Sequence, residues 1–180
     1  MLKIFLKIKI LMEDYDMKKK FNWNGKFGPM LIAEIGGNHE GDFNYAVKLT
    51  KLAISSGADV VKFQIYTGNS LVNKYIDKAR NEHFKRFELS PEQHVKLAKI
   101  CKKNGVIYSA SVWNTEALKW INKYIKFYKI GSGDLTAYPV LGKICETNKP
   151  ILLSTGLSNL NEIRNTIKFL VKKNSIYKRK

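Results

Sequence analysis

Residues 57–66 read GADVVKFQIY, a short apolar run typical of a buried strand that also contains a lysine and a glutamine. Side chains along a strand alternate between two faces, so Val61 and Phe63 share one face while Lys62 and Gln64 share the other. A strand covered by helices on both faces excludes such side chains, because an unpaired buried charge is costly. The run therefore predicts a parallel sheet with one apolar face and one face available to polar chemistry.

Four further apolar runs, separated by helix-periodic segments, extend this pattern along the chain. Asp42 and the Ser90 capping box mark two helix starts, and Gly57 and Gly105 mark the corresponding ends. About thirty residues per strand–helix unit is the length that parallel crossover connections need. Strands are predicted over residues 30–36, 58–66, 106–112, 125–131 and 150–155, and helices over 42–55, 79–87, 90–104, 115–123, 138–146 and 161–172.

Two folds accommodate five strand–helix units: a doubly wound five-stranded sheet, and the first five units of a (β/α)8 barrel. Glu34, Lys62, Gln64 and Lys129 each lie opposite an apolar set, near the carboxyl end of a strand. A doubly wound sheet is covered by helices on both faces, whereas a barrel interior opens at the carboxyl ends of its strands. We therefore predict an α/β fold, a partial (β/α)8 TIM barrel of about five strand–helix units.

The composition and charge exclude several classes of protein. The chain has 180 residues, a formal net charge of +17 and 44% hydrophobic residues, which is globular composition without a membrane span. Lysine outnumbers arginine 28 to 4 and basic residues cluster at both ends, so we interpret the charge as a solvated surface and predict no nucleic-acid partner. Cys101 and Cys145 fit neither a disulfide framework nor a zinc site, which predicts a cytoplasmic location.

Residues 1–27 are predicted to be a basic extension ahead of a barrel domain over residues 28–180. Lysines interrupt the apolar part of the first twenty residues and no small-residue cleavage site follows, so this is not a signal peptide. Two interpretations stay open: a membrane-surface helix, or a frayed or misassigned start with Met12 or Met17 as the initiator.

One acid, two lysines and several hydroxyls converge on the predicted barrel mouth. Buried lysines inside parallel strands are rare unless they are paired or bind anions, and Gly131 and Gly133 let backbone amides approach an anion. Two interpretations follow: a cradle for phosphate and carboxylate, or a lysine–glutamate pair that only neutralises itself. The candidate residues are Glu34, Lys62, Ser111, Lys129, Ser132 and Ser154.

The histidines show no spacing typical of metal ligands, and no metal-binding residue is predicted in this chain. His83 and His94 are predicted on solvated loop or helix surface. His39 directly follows the first strand, where a site role and a tight-turn role are equally compatible. Trp113 and Trp120 occupy core-like positions.

Four motifs follow one another along the chain: IAEIGGNHEGD (32–42), GADVVKFQIY (57–66), YKIGSGDL (128–135) and PILLSTG (150–156). Together they resemble the sialic acid synthases, the N-acetylneuraminate synthase family, from about residue 28 onward. The resemblance implies a (β/α)8 barrel followed by a small antifreeze-like domain. It also implies an enzyme that condenses phosphoenolpyruvate with an N-acetylated mannosamine-type sugar, giving a nine-carbon 2-keto sugar acid and phosphate.

The resemblance further implies roles for individual residues. Glu34 would lie beside the reacting carbons and place a proton or a water molecule as positive charge develops. Gln64 and Asp134 would bind sugar hydroxyls, and Ser111 stands where many members have a threonine that touches phosphate. The residues that bind phosphoenolpyruvate would be Lys62, Ser111, Lys129, Ser132 and Ser154.

Two departures accompany the resemblance. Residues 110–114 read ASVWN, where many members have Ser-Thr-Pro-Phe-Asp, which can mark a subfamily. The family binds a divalent metal, Mn or Mg, through two histidines on later strands, and its antifreeze-like domain completes the partner's site in a homodimer. We therefore expect the metal ligands outside this chain, and a possible separately encoded carboxyl-terminal half.

Three functions fit the sequence: the amino-terminal part of a sugar-acid synthase, truncated or split and inactive alone; a non-catalytic remnant that at most binds phosphoenolpyruvate; and a complete five-stranded basic binding module. The acceptor would be N-acetylmannosamine, its 6-phosphate, or a diacetamido sugar leading to legionaminic or pseudaminic acid. A five-stranded barrel should leave inner residues such as Ile32 and Val60 uncovered, so we expect the isolated chain to be molten, aggregated or dependent on a partner.

Overall fold

Strand–helix units follow one another through the computed structural model, which describes residues 21–178. The interpretations of residues 1–20 lie outside this range. The strands are β1 (Asn24–Gly25), β2 (Gly28–Pro29), β3 (Ile32–Gly36), β4 (Val60–Ile65), β5 (Ile107–Val112), β6 (Tyr128–Ile130) and β7 (Ile151–Leu153). The helices are α1 (Phe43–Ser55), α2 (Gly68–Leu71), α3 (Lys78–Phe87), α4 (Pro91–Lys103), α5 (Leu118–Ile121), α6 (Tyr138–Cys145) and α7 (Leu160–Lys173), with 3-10 turns at Thr115–Ala117, Ser132–Asp134 and Ser175–Tyr177.

The order of the strands distinguishes the two candidate folds. β3, β4 and β5 form a parallel sheet in that order, and β6 pairs with β7 in parallel. The Ser109 hydroxyl donates to the carbonyl of Phe127 at 3.4 Å, which joins β5 to the chain entering β6. Strands therefore follow one another in space as they do in sequence, as in a barrel. A doubly wound sheet reverses direction at a switch point and places its first strand inside the sheet.

Local capping signals fix the helix starts at the predicted positions. The Asp42 carboxylate accepts from the backbone N–H of Tyr45 at 3.0 Å at the start of α1. Ser90 and Gln93 form a reciprocal capping box ahead of Pro91, which begins α4. Each such cap stabilises its helix by about 0.5–2 kcal/mol, because it satisfies backbone N–H groups that have no partner within the helix. The hairpin β1–β2 and helix α2 were not predicted.

A hairpin closes the amino-terminal end of the barrel. The Asp59 carboxylate, just before β4, accepts from the backbone N–H groups of Lys26 and Leu31, each at 2.8 Å. The rings of Phe21 and Trp23 pack on Phe127, with centroids 5.3 and 5.1 Å away. The predicted domain boundary between residues 27 and 28 thus falls inside the hairpin, and residues 21–27 pack with the barrel.

The inner face at this end is covered more completely than expected. Val60 and Phe127 are both fully buried, and Ile32 is half-buried. The expectation that Val60 would be left uncovered is wrong. The aromatic segment before β3 packs on Phe127 at this end, a contact that the strand count alone did not suggest.

The helix-side core contains a buried histidine. The Nδ1 atom of His94 lies 2.8 Å from the Tyr108 hydroxyl, and the imidazole is only 1% exposed. The prediction that His94 is solvated is wrong, because this face of α4 packs on β5; His83 is exposed as predicted. His39 is buried in a tight turn, where its Nδ1 accepts from the Gly41 N–H at 3.0 Å.

The cysteines behave as packing residues. Cys101 and Cys145 are both buried in the same apolar cluster. Burial raises the pKa of the Cys101 thiol to about 12, which keeps it protonated and unreactive at neutral pH. No helix within residues 21–178 has the length and apolar character needed to cross a membrane.

The buried imidazole predicts a pH dependence of stability. Burial lowers the pKa of His94 from 6.5 to about 3, so below pH 6.5 the unfolded chain takes up a proton that the folded chain does not. The free energy of unfolding should therefore decrease by up to about 1.4 kcal/mol per pH unit as the pH falls through this window. Urea unfolding between pH 7 and pH 4 measures it.

His94→Gln should flatten this dependence, because glutamine does not titrate. His83→Gln, at an exposed position, is the matched control and should leave the slope unchanged. Equal slopes in the wild type and His94→Gln would show that His94 does not titrate in this way.

Candidate anion-binding site

The register of the strands aligns the predicted polar residues on the face away from the helices. Glu34 on β3 pairs in register with Lys62 on β4, and Lys62 with Ser109 on β5. One step nearer the carboxyl end, Gln64 is in register with Ser111. Because residues in register on parallel strands point to the same face, these side chains form two successive polar layers inside the barrel.

Lys62 is at the centre of this polar face. Its Nζ lies 2.7 Å from Glu34 Oε2 and donates to Ser111 Oγ at 3.3 Å. The lysine side chain is 7% exposed, whereas the glutamate side chain is 50% exposed. The lysine–glutamate ion pair, one of the two interpretations of these residues, is therefore formed. The ion pair and the hydrogen bond to Ser111 together use two of the three ammonium N–H groups of Lys62 and leave one.

Lys129 on β6 is the second cation of the site. It is half-buried, and burial is the largest effect that lowers its pKa. The positive charge of Lys62 lowers the pKa further, whereas the carboxylates of Glu34 and Asp134 raise it. Its ammonium makes no hydrogen bond or ion pair with any residue in the range 21–178. The site thus holds a desolvated cation with unused donors beside one that is already paired.

The loops after β6 and β7 bring two of the predicted serines to this mouth. The Ser154 N–H donates to the carbonyl of Ile130 at 3.0 Å, which places Ser154 beside the end of β6. Ser132 begins the 3-10 turn after β6, and a Cβ added at Gly156 would lie 3.9 Å from its Oγ. Both serines are half-buried, with their hydroxyls unbonded among the described residues.

Gly36 shapes the other side of the mouth. Its φ of 55° lies in the left-handed region, which favours glycine. A Cβ at this position would lie 3.2 Å from Glu34 Oε1 and 3.7 Å from Gln64 Nε2. The missing side chain therefore lets the carboxylate and the amide approach each other above β3.

Asp134 is held by a residue that the sequence analysis placed in the core. The indole Nε1 of Trp113 donates to Asp134 Oδ2 at 2.6 Å. Trp113 is half-buried at the carboxyl end of β5, so it belongs to the mouth. The departure at residues 110–114 was the sequence signal that could have identified it.

The predicted site residues fall into two connected groups. Glu34, Lys62, Gln64 and Ser111 are joined by direct contacts or by register, while Lys129, Asp134, Ser132 and Ser154 gather at the ends of β6 and β7. Charge interactions between Lys129 and Lys62, Glu34 and Asp134 link the groups. Within residues 21–178, no cluster of three or more His, Cys, Asp or Glu side chains could hold a metal ion.

Comparison with known families identifies the chain. The NeuB family model matches residues 49–178, which include β4 to β7 and most of the polar face. The chain belongs to the NeuB family. The resemblance to sialic acid synthases predicted from the four motifs is thereby confirmed.

Individual relatives support the NeuB assignment. An uncharacterized protein of Methanocaldococcus jannaschii is 38% identical over 81% of this chain and 43% of its own length. The N,N'-diacetyllegionaminic acid synthase of Campylobacter jejuni is 35% identical over 79% of this chain and 47% of its own length. The chain thus spans less than half the length of these relatives.

A solved structure supports the barrel. The N-acetylneuraminic acid (sialic acid) synthetase of Leptospira borgpetersenii superposes with a TM-score of 0.75 over 80% of this chain and 50% of that one, at 24% identity. At this identity the likeness concerns the fold, which is the predicted (β/α)8 type. The chain provides five strand–helix units of that fold, with its polar face inside.

The unequal burial of the ion pair predicts unequal effects of removing each partner. Glu34→Gln leaves the buried Lys62 ammonium without its counter-charge and should lower the free energy of unfolding by about 1–3 kcal/mol. Lys62→Met leaves Glu34 half-exposed to water and fills the lysine's space, so its stability should stay within about 1 kcal/mol of the wild type or rise. Urea unfolding measures both.

Glu146→Gln is the control, because it removes one partner of the exposed Lys143–Glu146 pair, with N···O 3.2 Å, and should change stability by less than about 1 kcal/mol. A Lys62→Met variant less stable than Glu34→Gln would contradict the assignment of the desolvated charge to Lys62.

Proposed function

We propose that this chain forms the amino-terminal part of the catalytic barrel of a sugar-acid synthase. The reaction condenses phosphoenolpyruvate with an N-acetylated mannosamine-type sugar to a nine-carbon 2-keto sugar acid and phosphate. Membership of the NeuB family supports the proposal, as do relatives named as legionaminic acid, pseudaminic acid and N-acetylneuraminate-9-phosphate synthases. The acceptor sugar belongs to the same class as theirs.

The half-buried, unpaired Lys129 beside the buried Lys62 is the observation on which this proposal depends. Two ammonium groups on one face repel each other and are costly to desolvate, unless an anion joins them. Phosphoenolpyruvate has its carboxylate and its phosphate attached to the same carbon atom, so two anionic groups lie close together in one short molecule. It would therefore bind the two lysines together, with the hydroxyls of Ser111, Ser132 and Ser154 as further donors.

Glu34 has two successive roles in this proposal. Without ligand it is the counter-ion of Lys62, through the 2.7 Å contact of its Oε2. A bound anion competes for the same ammonium and frees the carboxylate, which is half-exposed at the mouth. Glu34 then places a proton or a water molecule at the reacting carbons, where a fixed carboxylate stabilises developing positive charge.

The acceptor sugar would lie above the lysines. Gln64 is one layer nearer the mouth than Lys62, and its amide approaches Glu34 over Gly36. Asp134 lies on the opposite side, after β6. An amide and a carboxylate together offer the acceptors and donors that sugar hydroxyls need, so we assign both residues to sugar binding.

A divalent metal, Mn or Mg, is part of the proposal for the whole protein only. The residues within 21–178 do not supply a ligand set for it, so no step is assigned to the metal here. The homodimer and a separately encoded carboxyl-terminal half likewise belong to the proposal for the whole protein.

Loss of either lysine should weaken phosphoenolpyruvate binding. Lys62→Ala is expected to reduce the binding free energy by about 2–5 kcal/mol, the scale for losing one partner of a desolvated charge contact. Lys129→Ala should also weaken binding. Titration calorimetry with phosphoenolpyruvate, on a chain completed with the three remaining barrel strands, measures both variants. Lys103→Ala, at an exposed position in α4, is the matched control and should bind like the wild type. Unchanged affinity in both site variants would refute the anion site.

Phosphate release tests the reaction itself. The 180-residue chain supplied with phosphoenolpyruvate, N-acetylmannosamine and Mn²⁺ is expected to release no phosphate above background. Release should appear with a separately expressed carboxyl-terminal half, and Glu34→Gln should then lower the rate about 10²-fold or more. The affinity for phosphoenolpyruvate should stay the same or increase, because the carboxylate that competes for Lys62 is lost.

The alternatives give different outcomes in the same assay. Binding of phosphoenolpyruvate without release under any combination would identify a non-catalytic remnant. Sugar-dependent release by the lone chain would show that no further strand is needed. A normal rate in Glu34→Gln would make Glu34 a structural residue.

A further inference from the structure

Trp113 joins two loops at the carboxyl end of the barrel. It directly follows β5, and its backbone N–H donates to the carbonyl of Ile65 at 3.0 Å. Its indole Nε1–H reaches Asp134 Oδ2, in the turn after β6, at 2.6 Å. A hydrogen bond to a carboxylate is charge-assisted and stronger than one between neutral groups. The contact therefore ties the β5 loop to the β6 loop.

Neighbouring groups fix both partners. The Trp113 ring packs on Tyr66, with centroids 5.5 Å apart, and Tyr66 is buried and packs edge-to-face on Phe84. On the other side, a Cβ at Gly131 would lie 2.9 Å from Asp134 Oδ2, a separation that side chains essentially never show. Gly131 thus leaves the space that the carboxylate occupies, and the Trp113 indole is held in place by its packing on Tyr66.

The fixed carboxylate lies where the proposed site needs it. Trp113, Asp134 and Lys129 contribute to the lining of one small cavity, whose other lining residues are apolar and belong to β5, β6, α6 and the residue before α6. The negative charge of Asp134 raises the pKa of Lys129. Asp134 Oδ2 is engaged by the indole, while Oδ1 makes no hydrogen bond with any residue of the described chain. One oxygen is therefore used for orientation and the other is available.

We propose that Trp113 is a positioning residue that presents Asp134 to the acceptor sugar. Its indole N–H occupies Oδ2, so that Oδ1 accepts a hydroxyl hydrogen of an N-acetylated amino sugar. This sugar role rests on the proposed function. Phenylalanine at position 113 would lack the indole N–H and leave the carboxylate free to rotate about its χ angles.

The indole N–H reports the contact directly. The ¹⁵N-labelled chain contains Trp23, Trp113 and Trp120, and loss of one indole cross-peak in Trp113→Phe assigns the resonance. Asp134→Asn should move this resonance upfield and speed its hydrogen exchange, because the charged acceptor is lost. Trp120→Phe, which removes an indole elsewhere, should leave it unchanged. An identical Trp113 resonance in the wild type and Asp134→Asn overturns the proposal.

Sugar affinity tests the consequence. With phosphoenolpyruvate at saturation, Trp113→Phe should weaken N-acetylmannosamine binding about tenfold, the scale of one well-oriented hydrogen bond, while phosphoenolpyruvate affinity is unchanged. Equal sugar affinity in the wild type and Trp113→Phe overturns the sugar role. A wild-type chain that binds no phosphoenolpyruvate even with the separately expressed carboxyl-terminal half refutes the proposed function instead, and the indole shift then decides whether Trp113 positions Asp134.

Discussion

An ammonium group in the middle of a parallel strand is the constraint on which this molecule depends. Lys62 is nearly inaccessible to water, and its charge is tolerated because Glu34 and Ser111 provide acceptors on the neighbouring strands. Helices on that face would also bury the half-exposed Glu34 carboxylate and add the cost of desolvating it. The helices consequently pack on the opposite face, where Val61 and Phe63 belong to the main apolar cluster. Stability and chemistry are thus separated onto the two faces of the same strands.

The sequence predicted what depends on local rules. Strand alternation placed Glu34 and Lys62 on one face, and the register of β3 and β4 brings Lys62 Nζ to 2.7 Å from Glu34 Oε2. Asp42 and Ser90 cap their helices as predicted, since capping involves only the next three residues. The five strand–helix units and the polar residues on one face of the strands together predicted the barrel.

Features set by long-range packing were not predicted. His94 was assigned to the surface because one helix does not reveal which of its faces meets the sheet, and its Tyr108 partner lies on β5. The bond from Trp113 to Asp134 spans 21 residues and two loops, so neither residue identifies the other. The hairpin of β1 and β2 has two residues per strand, too few for any periodicity.

The order of the strands has a consequence for how the chain acquires its structure during synthesis. β4 pairs with β3, β5 with β4 and β7 with β6, so each of these strands leaves the ribosome when the edge that it will join already exists. Each pairing closes a single crossover connection, which contains one helix between β3 and β4 and three helices between β4 and β5, so the entropy loss of each step is limited to that loop. A doubly wound sheet adds later strands to both sides of its first strand. This sheet can instead grow from one side in the order of translation, with the carbonyl and amide groups of the newest strand exposed only until the next is made.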